Sequence, residues 1–132
     1  MSGARDTGVA ETILLVEDEE AVRLVLERSL SRKGYRVVEA TNGREALDVL
    51  AAGVAVHLMI TDVVMPEVGG FELVSRVARE HPEIKVLFMS GYTQSDGGID
   101  GHRLLEPVTH FLRKPFSTEL LAEKVREILE ES

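Results

Sequence analysis

TILLVEDEEAVRLVLERSLSRKGYRVVEA, residues 12–40, passes from one hydrophobic rhythm to another and back again. Thr12–Val16 (TILLV) is a short apolar run. By pattern alone such a run suits a buried strand or a piece of helix, but its shortness and the acids that follow favour a strand. Over residues 19–33 the apolar positions Val22, Val25, Leu26 and Leu30 recur at helical spacing, and Gly34 then stops the helix. Arg36–Ala40 (RVVEA) reads as a second strand. A strand, a helix and a strand in immediate succession are the unit from which parallel sheets are built.

The alternation continues to the C-terminus. Asn42 is placed to cap a second helix, and Glu45 three residues later resembles the second half of a capping box. That helix carries Ala46, Leu47, Val49 and Leu50 and stops near Gly53. Residues 56–61 (VHLMIT) form a third predicted strand, and residues 71–80 a helix with Leu73, Val74 and Val77 facing inward, ended by Pro82. Residues 85–89 (KVLFM) and 110–112 supply the fourth and fifth strands. Ser117 caps a last helix, with Glu119 in its first turn and Leu121, Val125 and Ile128 as its inner stripe. Strands that are apolar almost throughout belong to a sheet covered on both faces, so the fold class is α/β with a parallel sheet. Residues 90–109, SGYTQSDGGIDGHRLLEPVT, break the rhythm. They hold Gly91, Gly97, Gly98, Gly101 and Pro107, and each glycine inside a helix costs about 1 kcal/mol relative to alanine. A shortened or mobile fourth helix is predicted there, around 102–106.

Composition bounds the rest. The chain has 132 residues, which suits one domain, with residues 1–10 as a disordered tail or linker and 11–132 as the folded unit. It has no cysteine, which excludes a disulfide framework and a thiolate zinc site and agrees with a cytoplasmic location. No apolar run approaches the roughly 20 residues that span a membrane, and the first ten residues do not read as a signal peptide. The net charge is −8, so the basic footprint of a nucleic-acid binder is lacking and direct nucleic-acid or anionic-lipid partners are not expected.

Polar residues follow four of the five predicted strands: Glu17 and Asp18 the first, Asp62 the third, Ser90 the fourth and Lys114 the fifth. In open parallel sheets ligands bind beyond the carboxyl ends of the strands, so residues nearly a hundred positions apart can converge there. Three crowded carboxylates repel unless a cation neutralises them. Mg²⁺ (or Mn²⁺) suits Glu17, Asp18 and Asp62, because hard cations take carboxylate oxygens, water and phosphate oxygens. A carboxylate can also act as a nucleophile and become an aspartyl phosphate. Lys114 and the metal would then offset charge on the transferring group, and Ser90 would donate a hydrogen bond to it. Singly, each residue has an ordinary explanation: Asp18 as an acid at a helix start, Asp62 and Ser90 as turn residues, Lys114 as a solvated lysine. Their joint placement favours the site.

These residues carry a family resemblance. The chain resembles the receiver domains of bacterial response regulators and of hybrid histidine kinases over about residues 11–130, through ILLVEDEE at 13–20, TDVVMPEVGG at 61–70, FMSGYT at 88–93 and FLRKPF at 111–116. The resemblance implies a flavodoxin-like, doubly wound, five-stranded parallel sheet in the order 2-1-3-4-5. It implies that Asp62 accepts a phosphoryl group from a phosphohistidine, and that Asp18, Asp62 and the backbone carbonyl of Val64 bind Mg²⁺ while Glu17 acts through water. Lys114 would contact the phosphoryl group, Ser90 would turn toward it, and Phe111 would be the aromatic that swings inward. The partner implied is a histidine kinase or histidine phosphotransfer domain. The protein would be the receiver of a hybrid sensor kinase or a stand-alone regulator, with a homodimer left open.

Three departures from the family pattern stand out. Glu17 occupies a position where aspartate is commonest, Ser90 replaces the alternative threonine, and the glycine-rich stretch 97–101 falls where the fourth helix belongs. Ala21 and Leu24, off the inner stripe of the first helix, are candidates for docking the histidine-bearing partner. Val64 and Tyr92, two residues past Asp62 and Ser90, should order an attacking water poorly, so self-dephosphorylation should be slow. The expectation is therefore a signalling switch with Mg²⁺-dependent self-phosphorylation rather than a turnover enzyme. An aspartyl-phosphate phosphatase would need a second acid near its nucleophile, and Val63 and Val64 cannot move a proton. A pure interaction module would have no use for the full acidic set.

Overall fold

The computed structural model describes residues 10–62, 70–90, 109–113 and 116–130. Strands β1 Thr12–Val16, β2 Arg36–Ala40, β3 Leu58–Asp62, β4 Lys85–Ser90 and β5 Thr109–Arg113 form one sheet in the order β2-β1-β3-β4-β5. Every neighbouring pair is parallel. The helices among the described residues are α1 Glu20–Arg32, α2 Gly43–Ala51, α3 Gly70–Glu80 and α4 Thr118–Leu129. The expected strand order and the doubly wound class are therefore found. The helix expected around 102–106 and the tail over residues 1–9 lie outside the described residues.

Alternation along the strands divides the core in two. Leu14 and Val16 of β1, Met59 of β3 and Val86 and Phe88 of β4 point to one face, where Ala46 and Leu50 of α2 and Leu73, Val74 and Val77 of α3 cover them. Ile13 and Leu15, Leu58 and Ile60, and Leu87 and Met89 point to the other, beneath Leu26 and Leu30 of α1 and Leu121, Val125 and Ile128 of α4. The two-residue period of a strand makes this division automatic once both faces are covered. All five residues of β1 and of β3 are buried, as the apolar runs require, whereas edge strand β2 is exposed at Arg36 and Glu39.

Local chemistry sets the helix ends. Gly34 has φ +97°, and a Cβ added there would meet nothing within 4 Å, so the backbone conformation alone calls for glycine. The turn closes with Gly34 N–H donating to Ser31 O at 3.0 Å and Tyr35 N–H to Leu30 O at 3.3 Å. Asn42 Oδ1 accepts from Glu45 N–H at 2.8 Å, and Ser117 Oγ accepts from Leu120 N–H at 3.0 Å, so both predicted caps are made. Glu45 does reach back, but to Thr41 N–H at 2.8 Å, one residue earlier than a strict capping box. At the far end of the sheet, Lys85 Nζ donates to Ile128 O at 2.8 Å, tying the end of α4 to the start of β4.

Two sequence expectations need correction. Val25 is 55% exposed, not part of the inner stripe. At 3.6 residues per turn it lies about 120° from the direction shared by buried Leu26 and Leu30. The third strand begins at Leu58 rather than at residue 56. Val56 is buried but precedes the ladder, and His57 N–H donates to Thr12 O at 2.9 Å as the chain enters the strand.

Candidate functional site

The register of the sheet brings the acids together. Val16 lies beside Thr61 in the β1–β3 ladder, so the next residues on each strand, Glu17 and Asp62, emerge side by side at the carboxyl edge. Glu17 prolongs the other ladder as well, its N–H donating to Ala40 O at 3.0 Å. Carboxylate oxygens of Glu17, Asp18 and Asp62 all lie within 4.8 Å of one another. Glu17 is 1% exposed and Asp62 8%, whereas Asp18 opens to solvent. Oxygens bound to one Mg²⁺ at about 2.1 Å lie no more than about 4.2 Å apart. This set of three oxygens needs only small adjustments to hold such an ion, and oxygen is the donor that a hard cation prefers.

The longer side chain at position 17 has a use in this turn. Glu17 Oε2 accepts from Glu19 N–H at 3.0 Å. Glu19 is the residue before α1 and makes no side-chain cap of its own, so Glu17 supplies an acceptor at the start of the helix. Its carboxylate is thereby oriented while remaining in the acidic group.

Ser90 is the last residue of β4, one past Met89, which pairs with Asp62, and it lies beside Arg113 of β5. Its backbone is thus at the same edge of the sheet, and Lys114 is the next residue after Arg113 in the chain. The side chain of Ser90, and all of Val64, Tyr92 and Lys114, lie outside the described residues. Phe111 pairs in register with Phe88, and their rings pack tilted with centroids 5.2 Å apart. Phe88 is fully buried and Phe111 partly so, which leaves the outer aromatic next to a fixed inner one.

On α1, Ala21 is exposed and Leu24 is 45% exposed. Ala21, Val22, Val25 and Leu26 line one side of an open, mainly apolar trough of about 440 Å³, with Phe116 and Thr118 opposite. Helical spacing groups Val25 with Leu26 and Leu30, yet its side chain lies in the wall of this trough.

Arg23 was also missed. Its Nη1 donates to the Glu17 carbonyl at 2.8 Å, and its Nε to Glu39 Oε1 at 3.0 Å. The signal was present: Arg23 stands three and seven residues before Leu26 and Leu30, a charged residue on the buried side of an amphipathic helix. Close by, hydrogen bonds from Thr41, the backbone one first, hold the Glu45 carboxyl below its usual range, and the positive charge of Arg23 adds to the effect.

Comparisons with known proteins show the family and agree with the fold. The family model described as the response regulator receiver domain matches residues 13–126. The chain is similar to the sensor kinase CckA of Brucella abortus (strain 2308), 41% identical over 128 residues, which are 96% of this chain and 13% of the kinase's length. A crystal structure of the receiver domain from the hybrid histidine kinase CckA superposes with a TM-score of 0.76 at 37% identity, covering 90% of this chain and 99% of that one. The signal receiver domain of an HD domain-containing protein from Pseudomonas fluorescens Pf-5 superposes with a TM-score of 0.83 at 25% identity, covering 92% of this chain and 96% of that one.

Proposed function

The chain belongs to the response regulator receiver domain family, and from that premise we propose that Asp62 is the residue that takes the phosphoryl group. It is a phosphoacceptor domain of two-component signalling, closely related to the receiver of a hybrid histidine kinase. The observation that carries the assignment is the meeting of Glu17, Asp18 and Asp62 at the carboxyl edge of the sheet. Asp62 is the member of that group that ends a buried central strand, so its carboxylate is held on a rigid element. A carboxylate oxygen forms the new P–O bond as the P–N bond of the donor phosphohistidine breaks, and that electron pair returns to the imidazole.

Asp18 and Asp62 hold Mg²⁺ (or Mn²⁺) together with the backbone carbonyl of Val64, and Glu17 acts through water. When bound, the ion offsets negative charge on the carboxylates and the phosphoryl oxygens. Lys114 contacts the transferred group, Ser90 donates its hydroxyl hydrogen to it, and Phe111 moves inward beside Phe88. The domain runs from residue 11 to 132, with residues 1–10 as a linker or tail, and works in the cytoplasm. It acts as the receiver of a hybrid sensor kinase or as a separate regulator. Among the described residues no helix is long and apolar enough to cross a membrane.

The histidine-bearing partner, a kinase or a phosphotransfer domain, docks on α1 through Ala21 and Leu24. The exposed apolar surface there, continued by Val25 into the trough, supports this reading. The test of the site is beryllofluoride with Mg²⁺, a stable stand-in for the phosphoryl group. Amide signals near Asp62, Ser90 and Lys114 should shift together in nuclear magnetic resonance spectra. Spectra that stay unchanged with the reagent in excess would reject the assignment.

A further inference from the structure

We propose that Arg23 is a positioning residue for the metal site, setting the turn that carries Glu17 and Asp18 from a place on α1 that touches no ligand oxygen of the acidic group. The inference rests on the metal reading above and adds to it the device that holds the ligands in place. Glu17 is fixed at several points: its N–H to Ala40 O at 3.0 Å, its carbonyl by Arg23 Nη1 at 2.8 Å and its Oε2 by Glu19 N–H at 3.0 Å. Two of these bonds lie within the sheet or the turn. The third comes from a side chain on another element, and it grips the peptide that joins Glu17 to Asp18, the one ligand of the three that is exposed.

Arg23 is itself held on two sides. Its backbone N–H donates to Glu19 O at 2.9 Å, and its Nε donates to Glu39 Oε1 at 3.0 Å. Glu39 precedes Ala40 on β2, whose carbonyl already receives Glu17 N–H. A closed ring of bonds therefore joins the acidic turn, α1 and the edge strand. The Arg23 side chain is only 15% exposed, and its flat fork aims one donor at each partner, which the single ammonium of lysine cannot do. Glu39 offsets the guanidinium charge, so Arg23 acts here by holding the turn more than by competing with a cation for the carboxylates.

The test measures Mg²⁺ binding by titration calorimetry on the whole chain, beside unfolding in the presence of a chelator. Arg23→Gln should weaken Mg²⁺ binding about tenfold, the lower end of what removing a residue that orients a ligand costs. Arg23→Lys should fall between the two. A purely structural strut would instead lower stability equally with and without Mg²⁺ and leave the affinity alone, and that result overturns the proposal. Wild-type protein that binds no Mg²⁺ at millimolar concentration overturns the metal reading itself, a distinct outcome. Should Arg23→Gln fail to fold, Glu39→Gln carries the test from a residue whose side chain is 44% exposed. About threefold weaker binding is then expected, from the loss of one partly exposed ion pair, and unchanged binding rejects the idea.

Discussion

Replacing Asp62 by asparagine should stabilise the metal-free protein and remove its response to Mg²⁺. The substitution keeps the shape of the side chain and takes one negative charge from three carboxylates whose oxygens lie within 4.8 Å of one another. At that separation two unit charges repel by about 0.9 kcal/mol in a medium like water and by about 3.5 kcal/mol at an effective dielectric constant of 20. Glu17 and Asp62 are both buried, so their mutual repulsion belongs nearer the larger figure, while exposed Asp18 contributes nearer the smaller. Any hydrogen bond to an ionised Asp62 would oppose part of this gain, since bonds to a charged group are the stronger kind. A net stabilisation of about 1–3 kcal/mol remains, or roughly 4 °C in the unfolding midpoint per kcal/mol for a domain of this size. Wild-type protein at a hundredfold excess of Mg²⁺ over its dissociation constant should gain about 2.7 kcal/mol, and the variant much less. Urea unfolding followed by circular dichroism, with chelator or with Mg²⁺, measures both effects. A variant less stable than wild type in chelator, or one that gains as much from Mg²⁺, would show that Asp62 is neither repelled by its neighbours nor needed by the ion.

Three further outcomes are expected. Asn42→Ala removes the acceptor for Glu45 N–H and should lower stability by about 1 kcal/mol, read as a lower urea midpoint at unchanged slope. The Glu45 carboxyl is held below its ordinary value of 4.5, so its contribution is full above that value and fades as pH falls through the lowered one. Glu45→Gln should therefore be less stable than wild type at neutral pH, with a gap that closes in acid; a gap independent of pH would contradict this. Val64→Asn should speed loss of the phosphoryl group by giving an attacking water a polar neighbour, and an unchanged decay of labelled protein would count against that role.

Much of the fold could be read from the sequence because both faces of the sheet are covered. Burial on two sides makes TILLV at β1 and LMITD at β3 almost wholly apolar until Glu17, which follows the first, and Asp62, which ends the second, and that abrupt change marks the functional edge. The caps at Asn42 and Ser117 were legible because side-chain acceptors three residues before a helical N–H serve few other purposes. Position along α1 was harder. Val22, Val25, Leu26 and Leu30 all fit a helical spacing, yet only a narrow arc around Leu26 and Leu30 meets the sheet. Val25 falls outside that arc and Arg23 within it, the reverse of what hydrophobicity suggests, because the long arginine stem can cover apolar surface while its head reaches Glu17 and Glu39. Strand ends were uncertain by one or two residues for a similar reason: Val56 is as buried as a strand residue although the ladder begins only at Leu58. The fold-back of Glu17 onto Glu19 N–H could not be foreseen, since it depends on how the turn is folded and not on which residues compose it.

A carboxylate oxygen of Asp62 is the atom proposed to receive the phosphoryl group. Incubating the chain with Mg²⁺ and acetyl phosphate, trapping the acyl phosphate with borohydride and mapping the label by mass spectrometry tests this most directly. Modification at Asp62, lost in Asp62→Asn and dependent on the metal, is the predicted result. Label on another residue, or undiminished label in the asparagine variant, would contradict it.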